Sequence, residues 1–180
     1  MIDGTDTVGA ENYRLALDYM KSIYSAFWTQ FSSIHLGLVV FGETARLIFD
    51  FDNKYDDKTE TNKAIDSASF PGGKTASIGE ALISAKTHLF GIKHHDSYKR
   101  ILVLITGSTS TDDIFTGAEM LKANNVNVFC VGAGNQYDEA QLDGIASEPS
   151  SNNILTVPSY SNLPSLTQTL IDKIEEGRIT

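Results

Sequence analysis

Arg100-Ile101-Leu102-Val103-Leu104-Ile105-Thr106 is an apolar run with no polar residue between its two ends. A strand with one wet face alternates apolar and polar residues, whereas an unbroken run marks a strand covered on both faces. Val126 to Val131 reads the same way and is ended by Gly132-Ala133-Gly134. Between the two, Asp112 to Asn124 reads as a helix whose opening acidic residues suit a helix N-terminus. Apolar strands alternating with amphipathic helices predict a layered α/β fold.

The pattern extends in both directions. Upstream, Glu11 to Trp28 carries Leu15, Tyr19, Ile23 and Phe27 at helical spacing. His35 to Phe41 reads as a buried strand, and Gly42-Glu43-Thr44 turns it into a second strand, Ala45 to Phe51, as a hairpin. Thr59 to Ser69 is a short helix stopped before Pro71, because the residue preceding a proline avoids helical geometry. Ser77 to Phe90 is a helix with Ile78, Leu82, Ala85 and Leu89 on one face. Downstream, Tyr137 to Ser147 is a short helix, Ile154 to Val157 an edge strand, and Asn162 to Glu176 a closing helix. The predicted class is therefore a doubly wound α/β fold with a mostly parallel central sheet flanked by helices, in one domain spanning 1–180. Its first central strand is truncated: only Met1-Ile2 stand where a full strand is expected before Asp3. That predicts a chain cut from a longer protein or with a mis-assigned start. It also predicts exposed apolar surface, poor folding of the chain alone, and a higher thermal midpoint on extension.

With 180 residues the chain can bury a sizeable core without staples. Its 41% hydrophobic and 21% charged residues disfavour wholesale disorder. A net charge of −9 disfavours nucleic acid and anionic membranes, which need basic surface, and suits a cation or a basic partner. The single cysteine, Cys130, rules out an intrachain disulfide and reads as a small apolar core residue. No apolar run is long enough to insert in a membrane, and no signal peptide or Asn-x-Ser/Thr acceptor is visible.

Two loops bring hydroxyls and a carboxylate, the donors that a hard divalent cation takes: Asp3-Gly4-Thr5-Asp6-Thr7 and Gly72-Gly73-Lys74-Thr75. A third segment, Leu104-Ile105-Thr106-Gly107-Ser108, follows the central strand. Each piece has a plainer use: Asp3 can cap a turn, Thr5 and Thr7 can serve as local hydroxyl caps, and Ser77 can cap the helix after Gly72-Gly73. Their joint occurrence in this order favours a site. The three segments, with Gly72-Gly73-Lys74-Thr75-Ala76-Ser77-Ile78-Gly79-Glu80-Ala81-Leu82 the most specific, resemble the von Willebrand factor type A domain, also called the integrin I-like domain. The style of the first helix and of Gly37-Leu-Val-Val-Phe-Gly42 resembles the A domains of matrix proteins such as type VI collagen and matrilins.

The resemblance implies a metal-ion-dependent adhesion site (MIDAS) with Thr5, Thr7 and Thr75 as direct ligands and Asp3 as an indirect one. The implied ion is Mg²⁺, or Mn²⁺ or Ca²⁺ in its place, with an open position for a partner's carboxylate. Threonine for the family's serine keeps the hydroxyl and stiffens χ1. Gly107 stands where the family has Asp, a loss expected to weaken the ion by about 1–3 kcal/mol. Asp6, Asp112 and Asp113 are the candidates to compensate, and restoring Asp at position 107 is expected to tighten Mg²⁺. The implied function is non-catalytic adhesion in a secreted, extracellular matrix protein of several domains, with collagen or another matrix protein as partner. A metal-independent scaffold domain is the alternative.

A nucleotide hydrolase is the weaker rival: Ala68-Ser-Phe-Pro-Gly-Gly-Lys74-Thr75 fits a permissive P-loop pattern. A P-loop follows a strand and opens a helix, and here the preceding residues read as helical or irregular. No enzyme is expected. His94-His95-Asp96 reads as a polar loop, since adjacent residues rarely converge on one ion. His35 reads as a packed or edge residue, and Phe27, Trp28 and Phe31 as core.

Overall fold

The computed structural model describes residues 1–30, 34–51, 57–91 and 98–176. In chain order the elements are β1 (Ile2–Asp3), α1 (Gly9–Gln30), β2 (Leu38–Phe41), β3 (Ala45–Phe49), α2 (Lys58–Asp66) and α3 (Ile78–His88). There follow β4 (Arg100–Thr106), α4 (Ile114–Lys122), β5 (Val126–Ala133), α5 (Glu139–Ile145), α6 (Ser150–Asn153), β6 (Ile154–Val157), a 3₁₀ turn (Tyr160–Leu166) and α7 (Thr167–Glu176). The strands form one sheet ordered β3-β2-β1-β4-β5-β6. Every pairing is parallel except the β2–β3 hairpin. This is the doubly wound α/β fold that the sequence predicts.

Strand alternation sends side chains to two separate cores. Val39, Phe41, Leu102, Leu104, Val128 and Cys130 pack under α3, α4 and α5. Leu38, Val40, Ile105, Phe129 and Val131 pack under α1, α2 and α7. Cys130 is fully buried, and burial pushes its thiol up to about 12, so it is packing material rather than a nucleophile. On α1 the buried stripe runs through Tyr13, Leu17, Tyr19 and Ile23, with Leu15 and Phe27 only partly covered. Trp28 departs from its expected core role, being 38% exposed with its ring beside Tyr24. His35 is exposed, its ring edge-on to Tyr98. Phe31 and the His94-His95-Asp96 group lie outside the described residues.

Several boundaries move for local reasons. The strand expected from His35 begins at Leu38, which pairs with Phe49 at the end of β3, while β1 reaches only Val40 and Phe41. The helix expected from Asp112 begins at Ile114, since Asp113 is its cap and accepts from Phe115 N and Thr116 N. Ser77 makes no side-chain cap to α3; its hydroxyl donates to Glu43 O instead. Asp112 caps that helix from outside, accepting from Gly79 N (2.9 Å) and Glu80 N (2.8 Å). The closing helix is split, with Pro164 inside the 3₁₀ turn that precedes α7.

In line with β1, between β2 and β4, lies a cleft of about 680 Å³ lined by apolar residues of both cores.

Candidate metal centre

Three loops meet at the carboxyl ends of β1 and β4, where ligands of open α/β sheets sit. The loop 3–7 is tied to the loop 72–76 by Gly72 N to Gly4 O (2.9 Å), Asp6 N to Gly73 O (2.8 Å) and Gly73 N to Asp6 Oδ1 (3.2 Å). Gly72 and Gly73 hold φ of 69° and 106°, values that only glycine adopts freely, and this lets the loop fold flat onto its neighbour. The loop after β4 joins through Thr111 N to Ala76 O and a bridge between Ala76 and Ser110.

Asp3 is at the centre and fully buried. Its Oδ1 accepts from Thr5 N (3.0 Å), and its Oδ2 accepts from Thr106 Oγ1 (2.8 Å) and Gly107 N (3.2 Å). Among the described residues no cationic side chain pairs with it. Neutral donors therefore hold the buried carboxylate in one orientation. Thr5 is buried beside it, its hydroxyl 2.7 Å from the Ser108 hydroxyl. Thr7 and Thr75 lie exposed on the two loops that the backbone clamps together. The structure thus brings the loops of all four expected residues together, with Asp3 and Thr5 inside and Thr7 and Thr75 at the rim.

Thr106 and Ser108 belong to the third segment singled out in the sequence but are not among the ligands expected from it. Their signal was present, since both flank Gly107, but only the chain's return beside β1 aims them at Asp3 and Thr5. The compensating carboxylates are otherwise engaged: Asp112 caps α3, Asp113 caps α4, and Asp6 receives Gly73 N. Among the described residues no three His, Cys, Asp or Glu side chains gather around one point.

Gly107 is more than a lost carboxylate. A Cβ there would stand 2.8 Å from the Tyr160 hydroxyl and 2.8 Å from Ala133 O. Tyr160 is 4% exposed, and its hydroxyl has no hydrogen-bond partner among the described residues. Burial first, and then the Asp3 charge, raise its phenol well above the ordinary range. Tyr160 fills the space that a side chain at position 107 would need.

The donor set still fits a hard divalent cation: one fixed carboxylate without a counter-charge, neighbouring hydroxyls, and an orphaned phenol oxygen. The P-loop alternative does not form, because Ala68–Thr75 follows α2 rather than a strand and Lys74 is exposed.

A family model described as von Willebrand factor type A domain matches residues 1–169. The chain belongs to the von Willebrand factor type A family. Over 179 residues it is 26% identical to the human collagen alpha-1(XXI) chain, covering 99% of this chain and 18% of that protein. Over 174 residues it is 28% identical to human vitrin, covering 97% and 25%. The chain thus spans about a fifth of the length of these matrix relatives. Proximal thread matrix protein 1 from the mussel byssus superposes with a TM-score of 0.85 at 26% identity, over 96% of this chain and 46% of that one. A further structure of that protein is described as having a zinc-occupied MIDAS motif (TM-score 0.84, 25% identity, the same coverage). Among the described residues no helix of this A domain is long and apolar enough to cross a membrane.

Proposed function

We propose that this A domain is a non-catalytic adhesion module of a larger, secreted extracellular matrix protein. Its three-loop cluster holds a divalent cation, Mg²⁺ or in its place Mn²⁺ or Ca²⁺, and binds a carboxylate of collagen or another matrix protein. The observation that carries this reading is the Asp3 carboxylate, buried and oriented by three donors with no cationic side chain beside it. In this reading Thr5, Thr7 and Thr75 contribute hydroxyl oxygens directly, and Asp3 acts through water. When bound, the ion supplies an open position that a partner's carboxylate completes. The residues do the rest: the clamped glycine loop fixes Thr75 against the loop of Thr5 and Thr7, and Thr106 and Gly107 N hold Asp3 still.

Binding to immobilised fibrillar collagen, in Mg²⁺ and again in EDTA, tests the proposal. Loss of binding in EDTA is expected, with calorimetry showing Mg²⁺ uptake that Asp3→Asn abolishes. Binding insensitive to EDTA would instead support a metal-independent scaffold. Two observations favour that second reading: Thr5 and Ser108 already satisfy each other, and Tyr160 fills the place beside Gly107.

A further inference from the structure

Tyr160 opens the 3₁₀ turn that follows β6, and its ring belongs to the core beneath α1 and α7. A phenylalanine ring would fill the same space. The hydroxyl is what packing does not explain, because a buried O–H without a partner forfeits the hydrogen bonds it made in water. Tyr13 and Tyr24, buried likewise, place theirs against Ala68 O (3.2 Å) and Thr61 Oγ1 (3.2 Å). That of Tyr19 is unpaired but lies beside Thr167. The Tyr160 hydroxyl has no partner among the described residues, and the charge it feels is that of Asp3.

Its position gives that oxygen a use. It stands 2.8 Å from where a Cβ on Gly107 would be. An aspartate holds its carboxylate oxygens only slightly nearer its own Cβ than that. Gly107 N donates to Asp3 Oδ2 (3.2 Å), so the spot adjoins the buried carboxylate. The glycine and the tyrosine therefore go together. Having no side chain at position 107 makes room for the hydroxyl, and the hydroxyl returns one oxygen to the place a carboxylate there would take. We propose that the Tyr160 hydroxyl replaces the carboxylate missing at position 107, accepting a hydrogen bond from a water on the divalent cation. The site then has four segments, the fourth being the turn after β6. This rests on the reading above that the loop cluster holds Mg²⁺. A neutral hydroxyl is a weaker partner for that water than a carboxylate, so the exchange keeps the ion at reduced affinity.

Calorimetry with Mg²⁺ tests this on the unaltered chain and on three variants: Tyr160→Phe, Asp3→Asn, and Gly107→Asp combined with Tyr160→Phe. Tyr160→Phe is expected to weaken Mg²⁺ about fivefold while raising the thermal midpoint in EDTA. A merely structural hydroxyl would not move the two in opposite directions. The combined variant, which carries a carboxylate again, is expected to bind at least as tightly as the unaltered chain. The ultraviolet difference spectrum between Mg²⁺ and EDTA is expected to hold a tyrosine signal that Tyr160→Phe removes. Equal or tighter Mg²⁺ binding by Tyr160→Phe, with uptake still abolished by Asp3→Asn, would overturn this proposal and leave the cation reading standing. A lower midpoint of Tyr160→Phe in EDTA would also overturn it, by showing that the hydroxyl has another partner. Absence of Mg²⁺ uptake by the unaltered chain would overturn both.

Discussion

The two ends of the central sheet are built on opposite terms. At the carboxyl end three loops are laced together, and each oxygen of the Asp3 carboxylate accepts at least one hydrogen bond. At the amino end the sheet opens into a cleft of about 680 Å³ that Met1 helps to line, its amino group donating to Val103 O. One end holds a buried carboxylate oriented by neutral donors; the other buries an amine that its surroundings penalise. The proposed cation site lies at the ordered end, away from the open one.

The largest expected effect separates the ends by pH. Burial pushes the Met1 amine from 8.0 down to about 5. Between those values the unfolded chain binds more protons than the folded one, so stability is greatest above pH 8 and falls as pH drops toward 5. The loss reaches up to about 4 kcal/mol, and urea midpoints measured across that range read it. Acetylating the Met1 amine is expected to flatten the curve; an unchanged slope would place the titrating group elsewhere.

Packing is the next discriminator. Leu104 is fully buried in the closed part of the sheet, and Leu104→Ala is expected to cost about 3 kcal/mol. Leu102 points into the same core but lines the cleft, so Leu102→Ala is expected to cost about half as much. Equal losses by chemical denaturation would mean that the cleft is as tightly packed as the rest.

Position 107 probes the ordered end. Gly107→Asp sets a Cβ against Ala133 O and the Tyr160 hydroxyl and is expected to destabilise by about 1–3 kcal/mol. Adding Tyr160→Phe is expected to recover part of that loss, since the Ala133 contact remains. The simple expectation that Asp at 107 tightens Mg²⁺ therefore applies to the double variant, with calorimetry as the check. The smallest effect is Tyr160→Phe alone. Removing a buried hydroxyl without a partner is expected to raise stability by up to about 1 kcal/mol in EDTA. If the phenol oxygen serves a bound cation, melts in Mg²⁺ will show that gain disappear.

Much of this was legible in the residues. The unbroken run 100–106 and the alternation of strands with amphipathic helices led to the sheet, and β4 and β6 fall where they were expected. The expected ligand loops do converge. What escaped was set by neighbours distant in sequence. Asp112 reads as the first turn of its own helix, yet its carboxylate caps α3. Ser77 reads as that cap, yet its hydroxyl turns to Glu43 O. Trp28 reads as core beside Phe27, yet it is 38% exposed.

Periodicity and glycine placement are local properties, so the sequence by itself determined the layers, the parallel sheet and the loops that carry oxygen donors. Two of the three donors to Asp3, Thr106 and Gly107, lie more than a hundred residues away, and the space beside Gly107 belongs to Tyr160. Such contacts depend on where the strands bring their ends together, and no local pattern encodes a distance across the fold. Only the tertiary structure decided that Gly107 lacks room for a carboxylate as well as the carboxylate itself.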